Sequence, residues 1–422
     1  MRRVILLFFT CLATGAVLAQ KQCASTEYAT QLANTDPSIK ENILQAESFV
    51  RSYRPEILST GIDHTGNASL PVITIPVVVH ILYKDASQNI TDDKVKQQID
   101  VLNKAFRLSS PDTSKIPSYF QQLAGDCRVE FVLARVDPLG RATTGILRKS
   151  TWVTLYGMDD RIKYSSQGGD DAWDCNKYLN VWVGSLAGGI AGYSSPLGGP
   201  KDRDGVAIRT DAFGVGGGAV YNGGKTLVHE VGHWLGLRHI WGDANCGDDG
   251  VDDTPQQQGP NRGCPSGIRI TCNNGPYGDM YNNYMDQVND DCMLLFSKGQ
   301  VARMRATFAA GGPHYALLSS NGYTGTPVVE PPVENRPSAN GTIKSLQLYP
   351  NPVQKKLIVQ FQPDVDCIGK EMYIVNEFGQ VIRRITIQQF TSEVDVNGLQ
   401  PGMYFIKVAG ANKNILEKFL KQ

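Results

Sequence analysis

The chain changes its hydrophobic period several times, and each change marks a different kind of element. Val4 to Leu12 is one short apolar run behind Arg2-Arg3. Residues 27–32 and 37–50 are mostly polar, with Ile39, Ile43, Leu44 and Phe49 at approximate helical spacing, which predicts a helical segment too poor in core to stand alone. From Leu70 the pattern turns to a strongly β-branched run over 72–81, the mark of a buried strand. Val95, Ile99, Leu102 and Phe106 then recur at helical spacing after the start signal Thr91-Asp92-Asp93, predicting a helix over 91–106. Three more strand-like runs follow at 129–136, 179–183 and 205–209. A strand, a helix and further strands predict an α/β half-domain built on a mixed sheet.

Residues 320–343 are rich in Pro, Gly and Ser without any period, and predict a linker. Beyond them, short alternating runs at 346–349, 357–361, 372–375, 381–387 and 403–408 are separated by Pro352, Gly379, Gly398 and Pro401-Gly402. That pattern predicts a β-sandwich over 344–422.

Composition changes the picture in two ways. The 422 residues carry 41 basic and 41 acidic side chains, and a neutral balance argues against nucleic acid or an anionic membrane as the main partner. The start of the chain predicts export: two arginines, the apolar run and the small residues before Gln20 form a secretory signal over 1–19. No later segment approaches ~18 consecutive apolar residues, so no membrane span is expected in the mature protein.

The chemistry concentrates in Thr226-Leu227-Val228-His229-Glu230-Val231-Gly232-His233-Trp234-Leu235-Gly236-Leu237-Arg238-His239. Residues 226–235 are predicted to form a helix, and two histidines four apart then project from one face and can grip one ion. Gly236 permits a left-handed turn that brings His239 back as a third ligand. Three imidazoles leave a fourth position open, as in a catalytic rather than a structural zinc site, and Glu230 beside them can act as general base. Three of the six histidines fall in this stretch, whereas His64, His80 and His314 are isolated and predicted to be structural or solvated.

This extended motif resembles that of the metzincin metallopeptidases. Within that group His239-Ile240-Trp241-Gly242-Asp243, Val251-Asp252-Asp253-Thr254-Pro255 and Asn283-Tyr284-Met285-Asp286 are similar to the pappalysin family, over roughly residues 70–315. The resemblance implies a metzincin-like α/β catalytic domain over 69–319, with a mixed twisted sheet, an active-site helix and an irregular C-terminal subdomain. It implies Met285 as the Met-turn beneath the metal, and an endopeptidase in which one zinc activates the attacking water while Glu230 takes its proton. One departure stands out: many relatives carry Tyr two residues after the Met, and this chain carries Gln287.

Cys246, Cys264, Cys272 and Cys292 allow three pairings by themselves, and their spacings lack the tight Cys-x-x-Cys clip of a second zinc site. The family resemblance favours Cys246–Cys272 and Cys264–Cys292. Cys127 and Cys175 are either a further pair or two buried thiols. The acidic turn around residue 250 is either a solvated loop or a hard-oxygen cation site. The resemblance selects structural calcium, held by Asp249, the Val251 carbonyl, Asp253 and Thr254. Cys23 is similarly placed to the cysteine with which bacterial relatives close the fourth zinc position, so residues 20–68 are expected to be a propeptide, removed near Arg51 or Arg54 or before Leu70. Asp290 matches an acid that selects Arg or Lys after the scissile bond.

The segments 348–352, 376–380, 399–404 and 418–422 together resemble the sorting domain of the type IX secretion system. That implies outer-membrane secretion machinery as a partner, protein or peptide substrates, and a secreted or surface enzyme exported through the periplasm of a Gram-negative bacterium. The reading from another class is a zinc-containing surface adhesin that hydrolyses nothing.

Overall fold

The protein is described from a computed structural model covering residues 23–53, 71–218, 220–324, 346–361, 367–376, 380–408 and 415–422. The expected export signal, His64, the sites at Arg54 and Leu70, and most of the expected linker lie outside the described residues. No described helix is long and apolar enough to cross a membrane.

The first unit begins with two helices, α1 (Ser25–Thr35) and α2 (Pro37–Ser52). They are followed by β1 (Ile73–Tyr83), α3 (Asp92–Phe106), β2 (Val129–Leu133), β3 (Ile146–Ser150), β4 (Leu179–Gly184), β5 (Gly192–Ser194) and β6 (Val206–Arg209). Then come α4 (Lys225–Trp234) and α5 (Lys298–Ala306). The strands form the expected mixed sheet in the order β2-β1-β4-β6-β5, with β3 also beside β1. All pairings are parallel except β5 with β6. Neither β3 nor β5 was expected, because neither carries an apolar run of its own.

The period of two divides the sheet into two faces. Ile75, Val77, Val79, Val181, Val183, Val206 and Ile208 point to the core under α3 and α4. Leu82, Trp182, Tyr193 and Ala207 point the other way, and there the core is completed by Tyr28 and Leu32 of α1. Tyr28 packs its ring 4.8 Å from that of Tyr193 and donates its hydroxyl to Asp160 Oδ1 at 2.6 Å. Ala46 and Val50 of α2 bury against Leu197 and Ala306. The expectation that the N-terminal helices lie on something larger is thus met, and each supplies part of a core it does not own.

Thr91 caps α3 as expected, accepting the Lys94 amide at 3.3 Å. Residues 235–297 hold no strand or α-helix, in keeping with an irregular subdomain, and are tied by the disulfides Cys246–Cys272 and Cys264–Cys292. Cys127 and Cys175 are not paired. Cys127 is inside the sheet–helix core, while Cys175 lines a surface cleft with Gly198, Lys201 and His314. His80 and His314 are structural: both are buried, and they stack on Trp182 and Trp234.

The second unit contains β7 (Leu346–Tyr349), β8 (Lys356–Phe361), β9 (Glu371–Asn376), β10 (Val381–Thr386), β11 (Thr391–Asp395), β12 (Gly402–Val408) and β13 (Ile415–Lys421). Two antiparallel sheets, β10-β9-β12-β13 and β11-β8-β7, share one apolar core that includes Val359, Ile374, Ile406, Phe419 and Cys367.

Candidate metal centre and active site

α4 is buried along all ten residues, so its start and end must be held by protein groups rather than water. At the start, Gly224 adopts φ +68° and its carbonyl accepts from Gln98 Nε2 at 2.9 Å. Asp290, 1% exposed, accepts the amides of Gly223 at 3.1 Å and Lys225 at 3.0 Å through one oxygen, placing a carboxylate where the helix dipole favours it. At the end, Gly236 has φ +87°, the left-handed turn expected of it. A Cβ there would come within 2.5 Å of the tip of Leu197, which would have to shift, but it is the left-handed backbone that favours glycine.

That turn brings three imidazoles together. His229 and His233 oppose their Nε2 atoms at 3.1 Å, and the His239 ring centroid is 5.3 and 4.5 Å from theirs. Each Nδ1 is engaged from behind: His229 by the Tyr284 carbonyl at 2.7 Å, His233 by the Leu237 carbonyl at 2.9 Å, and His239 by Asp243 Oδ1 at 2.5 Å. A ring whose Nδ1–H donates to a carbonyl presents a lone pair at Nε2. His229 and His233 therefore aim two lone pairs at one another, and His239 Nε2 is buried with no hydrogen-bond partner. Two facing lone pairs repel unless a cation lies between them, and ligands of a tetrahedral zinc stand roughly 3.3 Å apart. The donor set fits zinc.

The fourth donor comes from the N-terminal segment. Cys23 Sγ and the ligating nitrogens of the three histidines all lie within 4.8 Å of one another, and they are the group among the described residues suited to a metal. Burial and the charge of Glu230 push the Cys23 thiol up, so a thiolate here needs a cation to compensate it. Burial and the neighbouring His239 push His233 down to about 3, which keeps its ring neutral, as a ligand must be. Burial opposes the charge of Asp243, yet its bond to His239 and the two imidazoles hold its carboxyl below the usual range.

Glu230 is fully buried beside this group, and the N-terminal segment reaches it too. Ser25 Oγ donates to Glu230 Oε2 at 2.7 Å and accepts the Ser194 amide at 2.9 Å, while Cys23 Sγ lies 3.6 Å from the same carboxylate oxygen. The Ala24 amide donates to the Gly192 carbonyl at 3.1 Å, and Cys23 bridges Gly192 in parallel. Gly192 has no room for a side chain, since a Cβ would stand 2.9 Å from Glu230 Cγ. Ser25, Gly192 and Asp243 were not foreseen in these roles. The cue for Ser25 was its place two residues after Cys23, and for Asp243 its spacing of four from His239.

Met285 is fully buried beneath α4, and its Sδ would be 2.5 Å from a Cβ on Gly232, between the two helical histidines. Its amide donates to Asn283 Oδ1 at 2.9 Å, and its carbonyl accepts the Ile240 amide at 3.2 Å. Gln287 is buried, and its amide donates to Asp286. Around residue 250 Asp249 accepts the Val251 amide at 3.0 Å and the Thr254 hydroxyl at 2.9 Å. Asp253 turns instead to the start of α5, accepting from Ser297 Oγ at 2.6 Å and the Gly299 amide at 2.8 Å. Burial raises the Asp249 carboxyl to about 7.

Comparison with known proteins agrees with this geometry. Residues 163–309 match the family model described as pregnancy-associated plasma protein-A, and residues 347–422 match the secretion system C-terminal sorting domain. An extracellular metalloprotease of Pyricularia oryzae is 31% identical over 281 residues, covering 65% of this chain and 87% of the relative. Another, from Arthroderma gypseum, is 32% identical over 245 residues, covering 55% and 71%. Among solved structures, mature mirolysin of Tannerella forsythia in complex with a cleaved peptide is 43% identical with a TM-score of 0.58, covering 59% of this chain and 97% of that one. A mutant of Tannerella forsythia promirolysin is 39% identical with a TM-score of 0.64, covering 71% and 97%.

Proposed function

The chain belongs to the pappalysin family of metallopeptidases, with a secretion sorting domain at its C-terminus, and from that premise we propose that it is made as a latent zinc endopeptidase whose propeptide blocks the metal and the general base together. The observation that carries the reading is the convergence of three histidine Nε2 atoms, Cys23 Sγ and the Glu230 carboxylate in one buried site.

His229, His233 and His239 hold the zinc, with the Tyr284 carbonyl, the Leu237 carbonyl and Asp243 fixing each ring. When bound, the metal supplies Lewis acidity toward the scissile carbonyl. Glu230 takes a proton from the attacking water and returns it to the departing amine. Buried Met285 keeps the underside of the site apolar, and Gln287 offers an amide donor where many relatives carry a tyrosine hydroxyl. Asp290 selects Arg or Lys after the bond. Calcium stiffens the turn through Asp249, the Val251 carbonyl, Asp253 and Thr254, which requires Asp253 to turn from the start of α5.

In the latent chain Cys23 occupies the fourth zinc position and Ser25 occupies the base. The proposed organisation is an export signal over 1–19, propeptide over 20–68, catalytic domain over 69–319, linker over 320–343 and sorting domain over 344–422. Extracellular relatives and the sorting domain support a secreted or cell-surface enzyme acting on proteins or peptides. Passage through the periplasm of a Gram-negative bacterium completes the proposal.

The test is peptide hydrolysis by the activated protein against Glu230→Ala, with chelation and separate re-addition of zinc and calcium. Activity lost on chelation, restored by zinc and absent from the variant is the expected result. A protein that binds zinc but cleaves nothing would be the surface adhesin instead.

A further inference from the structure

The propeptide meets the rest of the protein at a second place, which the blocking of the metal does not explain. Glu47, on α2, bonds two guanidiniums at once: Oε1 accepts from Arg238 Nη2 at 2.9 Å and Oε2 from Arg303 Nη2 at 2.5 Å. Both arginines belong to the part that stays after activation. Arg303 has a side chain only 4% exposed; its Nε donates to the Gly236 carbonyl at 2.7 Å, and its Nη1 is buried with no hydrogen-bond partner. Asp249, an acid that feels the charge of Arg303, has its oxygens on Thr254 and the Val251 amide. Removing the propeptide therefore takes from this guanidinium the carboxylate that it holds in the latent chain, and leaves it able to capture another.

The pair is placed where a substrate passes. Arg238 sits immediately before His239, and a groove of about 280 Å³ runs from His233 past Ser194 and Leu197 to Arg238. In the latent chain its other wall is propeptide, including Ser25, Leu44 and Glu47. The groove thus opens when the propeptide leaves, and its far end carries Arg238, whose guanidinium shares the Glu47 carboxylate with that of Arg303.

We propose that Arg238 and Arg303 form a carboxylate-binding subsite of the mature enzyme, which takes an Asp or Glu side chain of the peptide on the N-terminal side of the scissile bond. The side follows from α4. Asp290 stands at the start of that helix and the arginines beyond its end, so the two lie on opposite sides of Glu230. This assignment rests on the peptidase reading above, with Asp290 taking the residue after the bond. Glu47 is the ligand that fills the subsite during latency.

The experiment uses the full chain after removal of its propeptide. Peptide pairs differ only in Glu against Gln at each of four positions before a bond led by Arg or Lys, and kcat/KM is measured for each. One position is expected to favour Glu on the order of tenfold. Arg238→Gln should bring that ratio to within about twofold of unity, while Arg or Lys is still selected after the bond. Arg238→Glu should make Gln preferred over Glu at the same position and a third peptide with Lys there better than either, a result that lost packing alone does not produce. Arg303 is left in place because it is buried. No Glu preference at any position, or one that survives both variants, overturns the subsite. Cleavage without Arg or Lys selection removes the role of Asp290 and the side assigned from it, whereas no cleavage at all ends the peptidase reading and the subsite together.

Discussion

Glu47→Gln takes a charge from between two arginines while keeping the length of the side chain, and its cost can be worked from burial. The arm to Arg238 joins side chains 39% and 25% exposed, so solvent screening limits it to at most about 1 kcal/mol. The arm to Arg303 is different, because that guanidinium is 4% exposed. A fully buried charge that loses its partner costs about 3–5 kcal/mol. Here the figure is reduced, since Glu47 is itself a quarter exposed and glutamine retains an acceptor oxygen. A net loss of about 2 kcal/mol in propeptide docking follows, or roughly a 30-fold rise in the ratio of undocked to docked chains. Because α1 and α2 pack on one another, undocking of α2 should carry Cys23 with it. The assay is alkylation of the native zymogen by iodoacetamide, read cysteine by cysteine by mass spectrometry. Cys23 is 5% exposed and reacts only on opening, while buried Cys127 reports unfolding of the same unit and buried Cys367 that of the second. Cys23 should react roughly 30-fold faster in the variant, with the other two unchanged. The mature enzymes from both proteins have the same sequence and must show the same kinetics. A Cys23 rate within about threefold of wild type would refute the reasoning.

Cys23→Ala should give peptide cleavage before any processing, and unchanged latency would count against the thiol as a zinc ligand. Ser25→Ala should raise background cleavage less, on the order of tenfold, because Glu230 loses a donor and the Ser194 amide its acceptor; the zymogen's basal rate decides it. Asp243→Asn should weaken zinc retention about 10- to 100-fold, as measured by competition with a chelator, because His239 loses its charged support. Asp286 is fully buried, and burial raises its carboxyl to about 6 despite hydrogen bonds from Gln257, Asn261 and Gln287. The folded protein then holds this proton more tightly than the unfolded chain, so its share of stability is present at acid pH and is lost as pH rises from about 4 to about 6. In chemical denaturation, Asp286→Asn should flatten the stability profile across that window, and an identical slope in both proteins would remove the assignment.

The proposed zinc ligands were legible because their geometry is local. A spacing of four fixes two side chains on one helical face, and a glycine three residues after the second histidine can only serve a turn of unusual hand. The disulfide-tied loop was legible through resemblance, since four cysteines permit three pairings and nothing in their spacing chooses. What could not be read depends on residues distant in the chain. Glu47 meets Arg238 and Arg303 across 191 and 256 positions, and no period or motif links them. The possible Cys127–Cys175 bond failed for the same reason: one sulfur lies in the core and the other in a surface cleft. β5 was missed because three residues carry no pattern, and its middle residue, Tyr193, is held by residues distant in the chain, Tyr28 and Gly157 among them.

That short strand is one border of the sheet, covered here by the N-terminal segment, and its length is itself a compromise. A border with unmet amides and carbonyls attracts any extended chain, and a long one would recruit other copies of the protein into aggregates. Three residues are enough to set the register of one visiting peptide through a few main-chain bonds, as Ala24 does with Gly192. They are too few to template a second copy. For a secreted or cell-surface protein, the same brevity that hid β5 from view keeps its appetite confined to a single guest.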